Sequence, residues 1–148
     1  QRRTKVCPGP PPPPAPPAPP PPPPASQYGA KGATDVTGFG ILGHAQNLAE
    51  SQEASVLIEL HTLPIIAGMA AVSKAHREDS VFQLLKGYSA ETSGGLLMIV
   101  PAEHAEALVA DLQAVQGKPA WVVGEVKAAP EGAANSACLA DGVTVLEV

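Results

Sequence analysis

The sequence predicts an α+β domain, in which helices are layered on a sheet, preceded by a disordered proline-rich tail at residues 1–27. Proline usage separates the two parts, because 14 of the 18 prolines lie between Pro8 and Pro24. From residue 28 to 148, apolar runs suited to buried strands alternate with segments whose apolar residues recur every three or four positions, as in helices. These 121 residues are enough for one domain of ordinary size and too few for two.

The tail offers little that a folded core could use. Between Pro8 and Ala25 every residue is Pro, Ala or Gly, so backbone donors are few and no large side chain is available for burial. Such a segment populates polyproline II and stays solvated. Lys5, Pro8 and Pro11 match the basic-x-x-Pro-x-x-Pro pattern bound by SH3 domains. A partner of the SH3 type and an inert tail are both compatible with these residues.

The first half of the domain predicts a turn-rich stretch at 32–37 followed by a helix at 38–50, with Thr37 as its N-cap. A strand at 56–60 comes next. A second helix is predicted at 63–75, with Pro64 in its first turn, where a missing N–H costs nothing.

The second half continues the alternation. Its predicted elements are an irregular loop or short helix at 76–87, a strand at 96–100, a helix at 101–115, and strands at 121–126 and 143–146 joined by a loose segment at 128–141. The helix places its apolar residues on one face, at Ala105, Leu108, Val109 and Leu112. The predicted order is β-α-β-α-β-α-β-β, with the strands in one sheet.

Charge and cysteine content exclude several classes of function. Residues 1–27 carry a charge of +3 and the remainder −8, which argues against a nucleic-acid partner. Cys7 and Cys138 are the only cysteines, so we expect no disulfide framework and no cysteine-based zinc site. No apolar run approaches the ~20 residues of a membrane span, and the start has no secretory h-region. These features favour a cytoplasmic protein without a membrane partner.

The segment from Gly38 to Gly43 reads G-x-G-x-x-G, and Glu59 lies 21 residues after Gly38, as in dinucleotide-binding folds. That fingerprint requires an apolar strand leading directly into the first glycine, whereas Asp35 stands here where a pyrophosphate would approach. An acid ahead of a glycine-rich helix start can instead hold Mg²⁺, and the metal and the helix terminus can then receive polyphosphate. Alternatively, the three glycines allow close helix–sheet packing and Asp35 caps a turn.

A second glycine-rich segment, E-T-S-G-G at 91–95, precedes the apolar strand at 96–100. Consecutive glycines beside hydroxyls can form a turn whose N–H groups bind an anion, but they equally suit the entry turn of a strand. The histidines show no metal-binding spacing, and each is expected to be structural or solvated: His44, His61, His76 and His104.

Four segments resemble the selenophosphate synthetase (selenide, water dikinase) family, in its order and approximate spacing. They are A-T-D-V-T-G-F-G-I-L-G-H at 33–44, L-P-I-I-A at 63–67, E-T-S-G-G-L-L at 91–97 and A-W-V-V-G at 120–124. The resemblance implies the family's C-terminal domain, which shares its fold with aminoimidazole ribonucleotide synthetase-like enzymes. It also implies a dimeric enzyme that uses ATP, Mg²⁺ and selenide to make selenophosphate, AMP and phosphate for selenocysteine synthesis.

The resemblance assigns roles to particular residues. Asp35 matches the magnesium-binding Asp of the family's T-D-V-T-G-F-G motif, and the residues around it would line the phosphate side of the site: Thr34, Thr37, Gly38 and Gly40.

The sequence departs from the family pattern before residue 33. The family's N-terminal half carries the nucleotide-binding and dimer-forming domain, further magnesium aspartates, and a glycine-rich loop in which Cys or selenocysteine precedes a catalytic Lys. Here Lys5 precedes Cys7 without a glycine loop, so we assign no catalytic residue. We expect residues 28–148 to be a partial C-terminal domain that is inactive alone. The alternative is a non-catalytic truncated isoform that acts as a binding or regulatory module.

Overall fold

A computed structural model describes residues 24–75, 82–117 and 119–148. Its helices and strands follow the predicted order: β1 (Gly32–Asp35), α1 (Gly40–Glu50), β2 (Val56–Ile65), α2 (Met69–Ala75), β3 (Leu96–Ile99), α3 (Ala102–Gln116), β4 (Gly124–Ala128) and β5 (Ser136–Glu147). Short 3-10 helices occur at Ala25–Tyr28 and Leu84–Lys86. Most of the predicted tail, including Cys7 and the SH3-type pattern, lies outside the described residues, as does His76.

The α+β class is confirmed, but the described strands form two sheets where one was predicted. β1 pairs antiparallel with β3, which places Asp35 opposite Leu96. In the other sheet β2 is central, with β4 antiparallel on one side and β5 parallel on the other. Apolar periodicity identifies strands, whereas pairing depends on contacts between residues far apart in sequence, so the division into two sheets was not readable from the pattern.

The largest difference from the predicted elements concerns residues 63–68. The prediction of a helix starting at 63 is wrong, because β2 continues to Ile65 and α2 begins at Met69. Leu63 and Ile65 are only 2% and 5% exposed, and the Ile65 carbonyl accepts the Val148 N–H at 2.9 Å. Pro64 therefore directs its nitrogen away from β5, to the side where the pairing of β2 with β4 has already ended. Its missing N–H breaks no ladder bond there.

β5 is longer than the strand predicted at 143–146. It begins at Ser136, within the segment that was expected to be loose. Asn135 explains this start: its side-chain oxygen accepts the Val56 N–H at 2.9 Å, and its amide group donates to the Gln52 carbonyl at 3.0 Å. These bonds hold the beginning of β5 beside the turn that leads from α1 into β2.

The main core lies between α1 and the strands. In α1 the buried apolar residues recur at spacings of three and four, which is why this segment folds as a helix with one buried face. The buried cluster consists of Val36, Leu42, Ala45, Leu48, Ala49, Ile58, Leu60 and Leu97. Val36 follows β1 and Leu97 belongs to β3, so this core links both sheets to α1.

Tyr28 anchors the segment before β1 to α3. Its buried side chain donates a hydrogen bond from the hydroxyl to Asp111, and its carbonyl accepts from His104 Nδ1 at 3.0 Å. The bond to Asp111 raises the pKa of the Tyr28 hydroxyl. α3 turns its predicted apolar face inward, with Leu108 buried and Ala105, Val109 and Leu112 half-buried. Within the described residues, no helix combines the length and apolar character needed to cross a bilayer.

Candidate metal and phosphate site

The two glycine-rich motifs contact each other. We call residues 34–40 the first motif and residues 91–95 the second motif. Because β1 and β3 are antiparallel partners, the end of β1 lies beside the start of β3. The Val36 N–H donates to the Gly95 carbonyl, and the Glu91 N–H donates to the Thr37 carbonyl, both at 2.9 Å. Segments separated by some 50 residues thus form one paired loop region.

Two glycines allow close backbone contacts in and around this region, Gly94 between the two motifs and Gly40 against residues 87–88. Gly40 has a φ of +70°, and a Cβ there would lie 2.6 Å from the Gly87 carbonyl oxygen. A Cβ on Gly94 would lie 2.1 Å from the Val36 carbonyl oxygen. Gly38 differs, because no heavy atom of the described residues lies within 4 Å of the position its Cβ would take. Of the three glycines for which close helix–sheet packing was the alternative, Gly40 packs closely, but against residues 87–88 and not against a strand. A Cβ on Gly43 would lie 2.7 Å from Phe39 Cβ, whereas Gly38 faces open space.

Asp35 ends β1 with an exposed side chain. Its carboxylate makes no hydrogen bond or ion pair with any residue that the structure describes, and Thr34 beside it donates its hydroxyl to the Asp35 carbonyl at 3.2 Å. The alternative in which Asp35 caps a turn does not hold, since its side chain bonds no described N–H group. Among residues 24–75, 82–117 and 119–148, no cluster of three or more His, Cys, Asp or Glu could hold a metal.

The exposed Asp35 carboxylate can serve as one ligand of a Mg²⁺ ion whose other ligands come from elsewhere. Magnesium commonly keeps several waters and binds through one or two carboxylates plus the phosphates of a substrate. Asp35 can supply one such oxygen, and the described residues form no group of three or more His, Cys, Asp or Glu around it. The donor set suits a metal that arrives with a polyphosphate or is completed by other carboxylates.

His44 occupies the start of α1, where the sequence predicted a Thr37 cap. That prediction is wrong: Phe39 stands at the N-cap position without a side-chain bond, and α1 begins at Gly40. Instead, the Thr37 N–H donates to His44 Nε2 at 2.9 Å, with the Thr37 hydroxyl 3.2 Å from the same nitrogen. His44 is only 7% exposed, so of the two expected roles, structural or solvated, it has the structural one. Its role as an acceptor was not readable from the sequence, because an acceptor seven residues from its donor matches no capping motif.

Most N–H groups around the helix start already have acceptors. Besides Thr37, the Gly40 N–H donates to the Thr37 carbonyl at 3.2 Å and the Leu42 N–H donates to the Gly87 carbonyl at 2.9 Å. The Gly38 N–H has no acceptor among the described residues, and Gly38 is exposed. A phosphate at this terminus would therefore accept a hydrogen bond mainly from the Gly38 N–H. Thr37 and Gly40 instead stabilise the loop through their own hydrogen bonds.

The second motif is the entry turn of β3, one of its two expected roles. Gly95 immediately precedes Leu96, the first residue of that strand. The Glu91 carboxylate folds over Gly94, since a Cβ there would lie 2.4 Å from Glu91 Oε2. Partial burial raises the Glu91 pKa. A carboxylate in this position disfavours anion binding by the second motif.

An open groove of about 440 Å³ runs beside Gly38 and was not predicted. Phe39 and Tyr88 line it, with 65% and 48% of their surfaces exposed. Nothing in the sequence pattern distinguished these aromatic residues from core residues.

The structure contradicts the dinucleotide-binding interpretation. In that fold the strand before the glycines and the strand bearing the acid are neighbours in one parallel sheet. Here β1 and β2 belong to different sheets, and β1 pairs antiparallel with β3. The Glu59 carboxylate instead accepts a hydrogen bond from Lys127 Nζ at 2.8 Å.

Comparison with known proteins agrees with the motifs. Residues 23–135 match the family of the AIR synthase related protein, C-terminal domain. The chain is 50% identical over 103 residues to "Selenide, water dikinase" of Dictyostelium discoideum, covering 68% of this chain and 27% of that protein. It is 48% identical over 124 residues to "Selenide, water dikinase 2" of Homo sapiens (82% of this chain, 26% of that protein). It is 47% identical over 122 residues to "Selenide, water dikinase" of Trypanosoma brucei brucei (82% and 30%).

The chain thus spans between a quarter and a third of the length of the relatives it matches. Their shared name agrees with the resemblance carried by the four sequence segments, and the matched domain is the one that the α+β fold implied. The chain belongs to the AIR synthase related protein, C-terminal domain family, and corresponds to the C-terminal portion of a selenophosphate synthetase.

Proposed function

We propose that the chain contributes one wall of a selenophosphate synthetase site, where Asp35 binds Mg²⁺ that accompanies ATP. The complete enzyme would convert ATP, selenide and water into selenophosphate, AMP and phosphate. The observation that carries the proposal is the Asp35 carboxylate, which is exposed, has no partner among the described residues, and lies three residues from the unengaged Gly38 N–H.

The chain's own residues would bind the metal and orient the phosphate. Asp35 would provide an oxygen ligand, and the Gly38 N–H would donate to a phosphate oxygen near the start of α1. Thr34 lies beside them, and Thr37 and Gly40 hold the loop in shape. Magnesium, when bound, would neutralise negative charge on the phosphate oxygens.

We propose further that the chain is inactive alone. Phosphoryl transfer from a triphosphate depends on several positioned charges, and the described residues hold no cluster of three or more His, Cys, Asp or Glu that would supply them. The family's homodimer, a cytoplasmic location and an SH3-type partner for the tail stay predictions.

Metal binding can be tested on the 148-residue chain by nuclear magnetic resonance. We expect Mn²⁺, used as a paramagnetic substitute for Mg²⁺, to broaden the amide signals of residues 35–38 selectively. Asp35→Asn should abolish this broadening, because it keeps size and hydrogen bonding but removes the charge that a hard cation requires. Asp141→Asn, at an exposed site in β5, is the matched control and should leave the broadening intact. Broadening that survives Asp35→Asn would refute the metal site.

Activity provides the second test. The chain supplied with ATP, Mg²⁺ and selenide should form no AMP. Joined to the N-terminal portion of a relative, it should become active, and Asp35→Asn should then lower turnover by about 100-fold, as when a charge-stabilising group is lost. Turnover by the 148-residue chain alone, abolished by Cys7→Ser, would contradict the proposal. An inactive joined protein would favour the binding-module alternative.

A further inference from the structure

We propose that His44 is a positioning residue for the first motif. As a neutral ring protonated on Nδ1, it accepts the Thr37 N–H through Nε2 and thereby sets the path of the loop between Asp35 and Gly40. The geometric part of this inference stands by itself, and its consequence for metal binding rests on the proposed function.

Thr37 is the residue through which the loop is held. Its N–H donates to His44 Nε2 at 2.9 Å, and its hydroxyl lies 3.2 Å from that nitrogen. Its carbonyl accepts two backbone N–H groups, from Gly40 at 3.2 Å and from Glu91 at 2.9 Å. Every polar group of Thr37 therefore has a partner, and His44 is the side chain that serves two of them.

The direction of these bonds determines the form of the ring. A backbone N–H can only donate, so His44 Nε2 must present its lone pair to Thr37, and the ring proton of the neutral form must lie on Nδ1. The Phe39 N–H also points toward Nε2, at the longer distance of 3.5 Å. A proton on Nε2 would place two donors against each other in a nearly fully buried position.

His44 acts at the middle of the loop, where no other described side chain holds it. On one side, Val36 is fixed by its N–H bond to Gly95, and on the other, Leu42 is fixed by its bond to Gly87. Asp35 and Gly38 lie on either side of Thr37, two residues and one residue away. Loss of the His44 acceptor would leave Thr37 held only through its carbonyl, by the Glu91 and Gly40 N–H groups, and would release its N–H and hydroxyl, between Asp35 and Gly38.

Packing alone would not require an acceptor. The Phe39 and His44 rings are 5.5 Å apart between centroids and tilted by 47°, a contact that an apolar side chain could also make. His44→Leu keeps apolar volume and removes the acceptor, whereas His44→Gln offers a carbonyl oxygen near the Nε2 position. Comparison of these two variants separates positioning from packing.

The tautomer is the first test, made on the ¹⁵N-labelled 148-residue chain. Long-range proton–nitrogen correlation spectra distinguish a protonated Nδ1 from a protonated Nε2. We expect His44 to carry its proton on Nδ1 at neutral pH. A proton on Nε2 would overturn the inference, and this measurement needs no variant to fold.

Amide hydrogen exchange is the second test. In His44→Leu we expect the Thr37 amide to exchange about tenfold faster, the effect of losing one hydrogen bond, with Val36 and Leu42 little changed. His44→Gln should restore most of the protection of Thr37. An unchanged Thr37 amide in His44→Leu would overturn the inference. Equal acceleration of all three amides in both variants would do so as well, because it would indicate that the ring serves only packing.

Mn²⁺ broadening connects the inference to the metal site. His44→Leu should weaken Mn²⁺ binding at residues 35–38 by about tenfold, and His44→Gln should recover it, as when a group that orients a metal ligand is lost and replaced. If Asp35→Asn abolishes the broadening and His44→Leu does not weaken it, the role of His44 in metal binding is wrong and the proposed function stands. If Asp35→Asn has no effect while tautomer and exchange are as expected, the proposed function fails and the positioning role stands.

Discussion

Gly40 and Gly87 approach each other so closely that a Cβ atom on Gly40 would lie 2.6 Å from the Gly87 carbonyl oxygen. The same carbonyl accepts the Leu42 N–H at 2.9 Å, in the first turn of α1. This contact presses the segment after Leu84–Lys86 against the helix start, so the shape of the first motif depends on a residue far from it in sequence.

Gly40→Ala should destabilise the chain by about 2 to 4 kcal/mol. The variant would combine a strained backbone at φ +70° with a steric clash against the Gly87 carbonyl. Urea denaturation followed by circular dichroism measures the loss. Gly38→Ala is the matched control and should change the free energy of unfolding by less than about 0.5 kcal/mol. Equal effects of the two substitutions would contradict the packing of Gly40.

Gly94→Ala should cost about 1 to 3 kcal/mol, because its Cβ would meet the Val36 carbonyl oxygen and the pair of motifs would have to separate. Gly95→Ala meets no described atom within 4 Å and should stay within about 0.5 kcal/mol of the parent chain. Thermal melting of both variants tests this, and a neutral Gly94→Ala would mean that the motifs are not in contact.

Tyr28→Phe should lower the free energy of unfolding, because it removes the hydrogen bond to Asp111. The ring stays buried, so no cavity forms. Tyr88→Phe serves as a control, since no described group bonds the hydroxyl of this half-exposed residue, and it should be neutral. A neutral Tyr28→Phe would show that burial of the ring alone holds the segment before β1.

Glu91→Gln should stabilise the chain slightly at neutral pH. Partial burial raises the pKa of Glu91, so its ionised form is disfavoured in the folded state. A carboxyl with a raised folded-state pKa contributes stability below its unfolded pKa, and this stability is lost as the pH rises through the folded pKa. The melting temperature of Glu91→Gln should therefore exceed that of the parent chain near pH 7, and the difference should shrink toward pH 4. If the difference in melting temperature grew as the pH was lowered, the raised pKa of Glu91 in the folded state would be contradicted.

The local spacing of apolar residues was sufficient to predict several helices and strands. The spacing of Leu42, Ala45 and Leu48 predicted α1 to within two residues of its start, and the apolar run at 96–100 predicted β3. The apolar face of α3 was also correct around Leu108. In each case the residues that decide the element are neighbours in the chain, so periodicity alone reveals the buried face.

Pro64 shows where local pattern fails. In the sequence it favoured the first turn of a helix, but burial of Leu63 and Ile65 against the core and the pairing of β2 with β5 outweigh that preference. Proline is tolerated in β2 only because β4 no longer pairs at that position. Strand pairing of this kind depends on residues some 80 positions away.

The sequence by itself determined the α+β class, the order of elements, the family, and Asp35 as the candidate metal ligand, because each of these depends on the identity and spacing of residues within short segments. Only the tertiary structure decided that the two glycine-rich motifs touch, that Gly40 and Gly94 are needed for contact while Gly38 is exposed, and that His44 supplies the acceptor for Thr37. The physical reason is that hydrogen-bond partners and steric contacts depend on distances in space, which β1 and β3 create by pairing residues far apart in the chain.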